Sequence, residues 1–494
     1  MTAPSRLEHF RGKHPRFSYD SFTTERDGET LKLRFQFTIE PDLHFSPETT
    51  LESLAWERVE RLGPEVLDVF VFHLGLVEML SYWKATCAPE IVVRAGFLDA
   101  RQLSWWTDLL LHGMREFFYV NQIDFTKPDF VGITAPTREG RNNTKECHSE
   151  PEQSGGEESR SLHERMKDSS ASSFRMTNPL PDRDLVLMSG GKDSALAVQL
   201  LLEAGRDFHC LLLNPTPAAA AMTAQVGDRA PVIIRRTIDP RLLALNQAGY
   251  LNGHTPFSAY LAMLGVTCAA LSGYRQVVVA NERSADEGNV EFLGTEVNHQ
   301  YSKTLRFESA FRRYCAEYLT GAVQYFSLLR PLYEVQIARL FARYPQYLTT
   351  FTSCNRRQKD GGWCRQCAKC YSTFVLLSPF LRAEEILRVF GEDLFARAEA
   401  VPFIKELLGF TEHKPFECVG TREEMLVALY LGIQRRRFRS APLPVALRFV
   451  EAEVVPQHPT LPERAESLPH AWGDQHHVPP LYVELLKRHL AELG

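Results

Sequence analysis

The sequence predicts an α/β protein, with helices covering a parallel sheet and an α+β domain preceding it. Three observations carry that expectation. Short apolar runs at residues 185–188, 209–213, 232–234 and 277–280 alternate with helix-forming stretches at 195–204, 241–248 and 257–271. Strands separated by helices form parallel sheets buried on both faces. A glycine-rich string, Ser189-Gly190-Gly191-Lys192-Asp193-Ser194, sits where the first run meets its helix. Finally, residues 144–173 are rich in Ser, Glu, Arg and Lys and nearly devoid of apolar side chains, which divides the chain.

Taken in order, residues 1–133 form the N-terminal α+β domain. Leu31-Lys32-Leu33-Arg34-Phe35-Gln36-Phe37 alternates as a half-buried strand does, and a long helix is expected near residues 67–80. Residues 104–119 predict one amphipathic helix whose aromatics belong to a core. Residues 134–178 read as a disordered insert, because so polar a segment cannot offset the entropy of ordering. Asn142-Asn143-Thr144 there matches a glycosylation acceptor, without a secretion signal to give it meaning, and Cys147 and His148 are solvated bystanders. Residues 179–400 hold the parallel sheet, and 401–494 form a C-terminal segment, helical to Arg437 and then rich in Pro and His.

Hydrophobic residues make up 44% of the 494 and the net charge is −5, so no global basic field invites nucleic acid or an acidic membrane. The N-terminal residues carry no apolar run of a signal peptide, and Asp68, His73 and Glu78 interrupt the most apolar early stretch. A cytoplasmic protein is expected.

The strand, glycine turn and helix make a phosphate-binding site. The glycines permit a sharp turn and close approach, and the helix start offers free N–H groups. Ser189 and Ser194 add hydroxyls and Lys192 a mobile cation. The spacing differs from the common nucleotide loop, which has four residues between its glycines. It is similar to the PP-loop of ATP pyrophosphatases, which cleave ATP to AMP and pyrophosphate.

Cys354, Cys364, Cys367 and Cys370 offer four soft ligands. That set suits a closed tetrahedral zinc, which holds a fold; an iron–sulfur cluster uses the same ligands. A second polar constellation follows the strand ending near Asn281. It comprises Asn281-Glu282-Arg283-Ser284, then Glu287, Gly288 and Asn289, then Glu296-Val297-Asn298-His299-Gln300-Tyr301-Ser302-Lys303. Arg283 and Lys303 suit phosphates or carboxylates, and His299 suits proton transfer near neutral pH.

These strings together resemble the ATP-dependent UDP-N-acetylmuramoyl-L-alanyl-L-glutamate epimerases of bacterial cell-wall synthesis. The likeness extends to Ser353-Cys354-Asn355-Arg356, to His413-Lys414-Pro415-Phe416-Glu417-Cys418-Val419-Gly420, and to Leu80-Ser81-Tyr82-Trp83-Lys84-Ala85 and Glu116-Phe117-Phe118-Tyr119-Val120-Asn121. It covers residues 17–420 apart from the insert. The phosphate loop and Cys knuckle are shared with deazaguanine nitrile synthases, which lack counterparts of the N-terminal region and of 413–420.

The resemblance implies a PP-loop ATP pyrophosphatase (adenine-nucleotide α-hydrolase-like) fold and an isomerase using ATP and Mg²⁺. Adenylation of the glutamyl carboxylate would let the carbanion charge spread as an enolate. Ser189, Gly190, Gly191, Lys192, Asp193 and Ser194 would hold the phosphates, with Asp193 near Mg²⁺ or the loop backbone. Asn281, Glu282, Arg283, Ser284, Asn298 and His299 would face the substrate, a nucleotide-sugar dipeptide. Proton transfer would fall among His299, Glu296, Lys303, Glu417 and Cys418, with His413 and His254 and an isolated cysteine also readable as packing. A ligase that adds L-glutamate to the muramoyl precursor is the implied functional partner; nucleic acid and membrane are not. The rivals are an ammonia-consuming amide or nitrile synthase, a tRNA-modifying enzyme, and a zinc-knuckle protein that only senses nucleotide.

Overall fold

The computed structural model describes residues 3–136 and 180–493. The insert therefore lies outside the described residues, with Cys147, His148 and the glycosylation-like triplet, except that Thr134 closes a strand. The described chain forms two compact units.

The first unit contains the N-terminal residues with 235–273 and 314–322. Strands β1 (Arg16–Asp27) and β2 (Thr30–Ile39) form an antiparallel hairpin in which Asp27 faces Thr30. Along β2, Leu31, Leu33, Phe35, Phe37 and Ile39 are buried, the alternation expected from the sequence. Strands β3 (Leu43–Phe45) and β4 (Glu48–Leu51) pair antiparallel with β2. Strand β5 (Glu90–Val93) runs parallel to β1 and to β6 (Gly132–Thr134). The sheet lies on the helix Pro64–Glu78, where a Cβ on Gly75 would stand 2.1 Å from the Tyr19 hydroxyl. Only glycine allows that approach.

By length and composition the stretch Pro64–Trp83 could cross a membrane, yet 89% of its apolar window is buried inside the fold. Its Glu78 is satisfied by Arg236, which donates two hydrogen bonds of 2.8 Å. The helix Phe257–Ser272 belongs to this unit rather than to the sheet that precedes it in sequence. It is apolar all round, so any apolar surface could have covered it, and it is buried along nearly its whole length. The single helix expected at 104–119 is two, Ala100–Gly113 and Arg115–Val120. The backbone leaves helical geometry at Met114, where Gly113 lies against Pro256 with no room for a side chain. Trp106, Phe117 and Phe118 are core residues.

The second unit contains residues 180–234, 274–313 and 323–493. Its strands are β7 (Asp184–Leu187), β8 (Phe208–Leu213), β9 (Val232–Thr237), β10 (Gln276–Val279) and, after the small hairpin β11 (Val290–Phe292) and β12 (Thr295–Val297), β13 (Gln324–Ser327). All five sheet strands are parallel, in the order β13-β10-β7-β8-β9. The chain winds one way from β7 to β9 and returns on the other side of β7 as β10. Such a switch point opens a crevice at the carboxyl ends of the two strands beside it. Those ends carry Ser189 and Asn281.

The C-terminal segment is helical beyond the expected limit. The helix Arg422–Phe438 is followed by Val445–Phe449, Leu461–Ser467 and Pro480–Ala491. The last of these docks on β7, where the Tyr482 hydroxyl donates to Asp184 at 2.8 Å.

Candidate active site

The glycine turn is built by local necessity. Gly190 has φ +85°, and a Cβ there would meet Ala219 N at 2.6 Å and Ala218 Cβ at 2.9 Å. Gly191 is the N-cap of the helix Lys192–Glu203 and has no side chain to satisfy its first N–H groups. They and the helix dipole favour an anion. Ser194 Oγ donates to Gly191 O at 3.0 Å and lies 3.2 Å from Ser189 Oγ.

Lys192 is buried and donates to both Asp193 and Glu334, rather than extending as a mobile cation. Burial opposes its charge, but the two carboxylates outweigh burial and raise its pKa. Burial pushes Glu334 up to about 7, against the pull of Lys192 and with the repulsion of Asp193 and Glu282. Carboxylate oxygens of Asp193, Glu282 and Glu334 lie within 4.8 Å of one another, a hard-oxygen set that could hold a divalent cation. Glu424, fully buried, accepts from the Glu334 N–H, from Ser284 Oγ at 2.6 Å and from Thr421 N at 2.6 Å.

The Asn281–Lys303 constellation divides into two roles. Asn281 Nδ2 donates to Ser327 Oγ at 3.2 Å, on the neighbouring strand β13. Ser284 is bound to Glu424, and Asn298 spans its own turn, donating to Ala285 O at 2.9 Å and accepting from Gln300 N at 2.7 Å. Arg283 is exposed, stacks 4.8 Å from the Tyr333 ring, and has Gly473 of the C-terminal segment packed against it. Glu296 is exposed. By contrast, Lys303 and His299 turn inward to Cys418. Lys303 Nζ stands 3.1 Å from Cys418 Sγ, and His299 Nε2 stands 4.0 Å from it. Burial opposes the Lys303 charge, but Cys418, Glu282 and Asp193 reverse that, and its pKa is raised. Glu417 accepts from Lys369 N at 2.6 Å, and burial pushes its pKa up. His413 stacks on Phe416, and His254 pairs with Glu116 within the first unit.

The four cysteines converge. Cys367 and Cys364 sulfurs lie 3.5 and 3.7 Å from that of Cys370, and all four sulfurs lie within 4.8 Å of one another. The group could hold one metal ion; a multi-iron cluster would spread its cysteine sulfurs further apart. Hydrogen bonds tie this loop to its surroundings. Thr352 N donates to Gly190 O at 3.0 Å while its hydroxyl donates to Gly362 O at 3.0 Å. Lys369, between two of the cysteines, donates from Nζ to Cys418 O.

Sequence reasoning missed Glu334, Glu424, Lys369 and Asn289. The first sits after β13, itself unforeseen, and a lone Glu at a helix start carries no signal. Asn289 carries no sequence signal beyond its place in a polar run.

Two family models match the chain. One, described as the MurL N-terminal domain, covers residues 9–328, and the other, the MurL C-terminal domain, covers 350–460. Curated relatives include three proteins named UDP-N-acetyl-alpha-D-muramoyl-L-alanyl-L-glutamate epimerase. That of a Micromonospora species is 40% identical over 421 residues, 84% of each chain. That of Salinispora tropica is 35% identical, spanning 87% of this chain and 84% of the relative. That of Xanthomonas oryzae pv. oryzae is 32% identical over 85% of both. No solved structure matched.

Proposed function

This chain belongs to the MurL family, and on that premise we propose that it inverts the terminal L-glutamate of UDP-N-acetyl-α-D-muramoyl-L-alanyl-L-glutamate to D-glutamate, using ATP. The observation that carries the ATP-dependent part is the uncapped glycine turn at the sheet's switch point, beside a thiol, an ammonium and an imidazole.

A free carboxylate resists loss of its α-proton, because the carbanion would sit beside an existing negative charge. Transfer of AMP to that carboxylate makes an anhydride that can accept the charge as an enolate, with pyrophosphate leaving. Hydrolysis afterwards releases AMP and makes the inversion directional. The turn suits ATP: Gly190, at φ +85° and packed against Ala218 and Ala219, lets the backbone turn sharply, and the helix N-terminus has no side-chain cap and is open to an anion. Ser189, Gly190, Gly191 and Ser194 bind the phosphates, and Lys192 holds positive charge there. The carboxylates of Asp193, Glu282 and Glu334 would hold Mg²⁺, which neutralises phosphate charge when bound. Asn281 and Arg283 border the crevice as substrate contacts, and His299, Lys303 and Cys418 supply proton transfer.

The cysteine group fits structural zinc. Zinc–sulfur bonds of about 2.3 Å in a tetrahedron set sulfurs roughly 3.8 Å apart, near the 3.5 and 3.7 Å present. Four protein ligands leave no open position, so the metal would hold the loop. The substrate is a cytoplasmic nucleotide-sugar, supplied by a ligase that adds L-glutamate.

The test is incubation in D₂O with ATP, Mg²⁺ and the UDP-muramoyl dipeptide, followed by mass spectrometry and chiral analysis. D-Glutamate carrying one deuterium, with AMP and pyrophosphate, is expected. AMP and pyrophosphate without inversion would point to a missing nucleophile such as ammonia and overturn the epimerase reading.

A further inference from the structure

We propose that Cys418 is the base on one face of the activated glutamyl α-carbon, that Lys303 is the counter-cation of its thiolate, and that His299, oriented by Asn289, exchanges its proton. The assignment rests on the epimerase reading above and sorts out which of its candidate groups does what.

Exposure singles out the thiol. Of the five described cysteines outside the metal-binding group, Cys87, Cys210, Cys268 and Cys315 are buried, and Cys418 alone is reachable. Burial pushes Cys87 up to about 12 and Cys210 to about 11, so those thiols stay protonated and inert. Cys418 instead has an ammonium 3.1 Å from its sulfur.

The imidazole faces that sulfur in a defined tautomer. Asn289 Nδ2 donates to Pro415 O at 2.7 Å, which turns its Oδ1 toward His299. That oxygen accepts from His299 N at 3.1 Å and lies 2.8 Å from His299 Nδ1. An amide oxygen can only accept, so Nδ1 carries the hydrogen and Nε2 presents its lone pair to Cys418, 4.0 Å away. Other charged groups facing this corner include Glu417, engaged with Lys369 N, Lys369, bonded to Cys418 O, Arg330, which donates to Lys303 O, and Asp193 and Glu282 beyond Lys303.

The step balances as a proton transfer. The Cys418 proton passes to His299 Nε2, leaving thiolate and imidazolium with Lys303 alongside. The sulfur lone pair takes the α-proton, and the C–H electron pair moves into the activated carbonyl as an enolate. Because Lys303 and His299 both serve the same sulfur, they serve the same face. A solvent-derived proton is then added on the other.

Two readouts separate this step from adenylation: substrate-dependent ATP–pyrophosphate exchange and deuterium wash-in at the α-carbon. Cys418→Ser should retain pyrophosphate exchange within about tenfold while wash-in falls about 10²- to 10⁴-fold. Wash-in within tenfold of the parent protein would overturn the assignment. Pyrophosphate exchange without wash-in in the unaltered protein would overturn the epimerase reading itself. Independently of any variant's folding, iodoacetamide on the metal-replete protein should label Cys418 faster than Cys87, Cys210, Cys268 and Cys315, with ATP plus substrate protecting it; equal labelling of those buried cysteines would refute the reactive thiol. Lys303→Met should move the pH midpoint of that labelling upward and Lys303→Arg restore part of it. Asn289→Leu should move it the same way with the KM for ATP unchanged, and an unmoved midpoint would confine Asn289 to structure.

Discussion

Replacing Gly190 with alanine tests whether the turn is a phosphate cradle or merely a tight corner. At φ +85° an L-residue costs about 1–2 kcal/mol. The new Cβ would also stand 2.6 Å from a backbone nitrogen, Ala219 N, which cannot rotate away as a flexible side chain could. Overpacking of that kind costs about 1–3 kcal/mol. The unliganded turn can relax to relieve both terms, so the cost of about 2–5 kcal/mol falls on re-forming the ATP-competent turn. That corresponds to a loss of about 30- to 4,000-fold in ATP affinity. Gly205 provides the control: it lies just beyond the same helix with φ +63°, and a methyl group added there would meet nothing within 4 Å. Gly205→Ala should lower the melting temperature without changing the ATP dependence of pyrophosphate release. An unaltered KM for ATP in Gly190→Ala, or an equal loss in Gly205→Ala, would refute the reasoning.

Asp193→Ala should abolish pyrophosphate release, since Asp193 pairs with Lys192 and helps form the acidic group; unchanged release would remove the loop from the chemistry. Cys367→Ser should lower metal content, read by elemental analysis, and melting temperature together, and stability that held after metal loss would deny the metal a structural role. His73 gives a pH dependence whose sign is fixed: burial depresses its pKa to about 4, so the unfolded chain takes up a proton first as pH falls. Its contribution is full above about pH 6.5 and is lost toward pH 4, a swing of about 3 kcal/mol. His73→Gln should flatten urea-derived stability across that window, and an unchanged slope would count against it.

The sequence made legible whatever is local. A strand ending in two glycines and a helix is a contiguous string, and so is a Cys-x2-Cys-x2-Cys run; the first is a strand, turn and helix in the structure, and the sulfurs of the second converge with that of Cys354. The alternation of β2 could be read for the same reason. Membership of the helix Phe257–Ser272 could not, because a helix apolar on every side does not declare which surface buries it. Glu334 and Glu424 were invisible because their meaning lies in partners 142 and 140 residues away, Lys192 and Ser284. Residues 281–303 looked uniformly functional, yet Ser284 and Asn298 spend their hydrogen bonds on turns and helix ends while His299 and Lys303 face a thiol more than a hundred residues on.

The cysteine loop touches the glycine turn at one end, through Thr352 and Gly190, and the Cys418 backbone at the other, through Lys369. An epimerase that activated its carboxylate with ATP would have a costly failure mode: consuming ATP on a carboxylate it can no longer invert. Separate supports for the two half-reactions would let damage to one leave the other running. On the proposed reading a shared support would make them fail together, so loss of a metal held by the four cysteines would silence both half-reactions instead of leaving a futile ATPase.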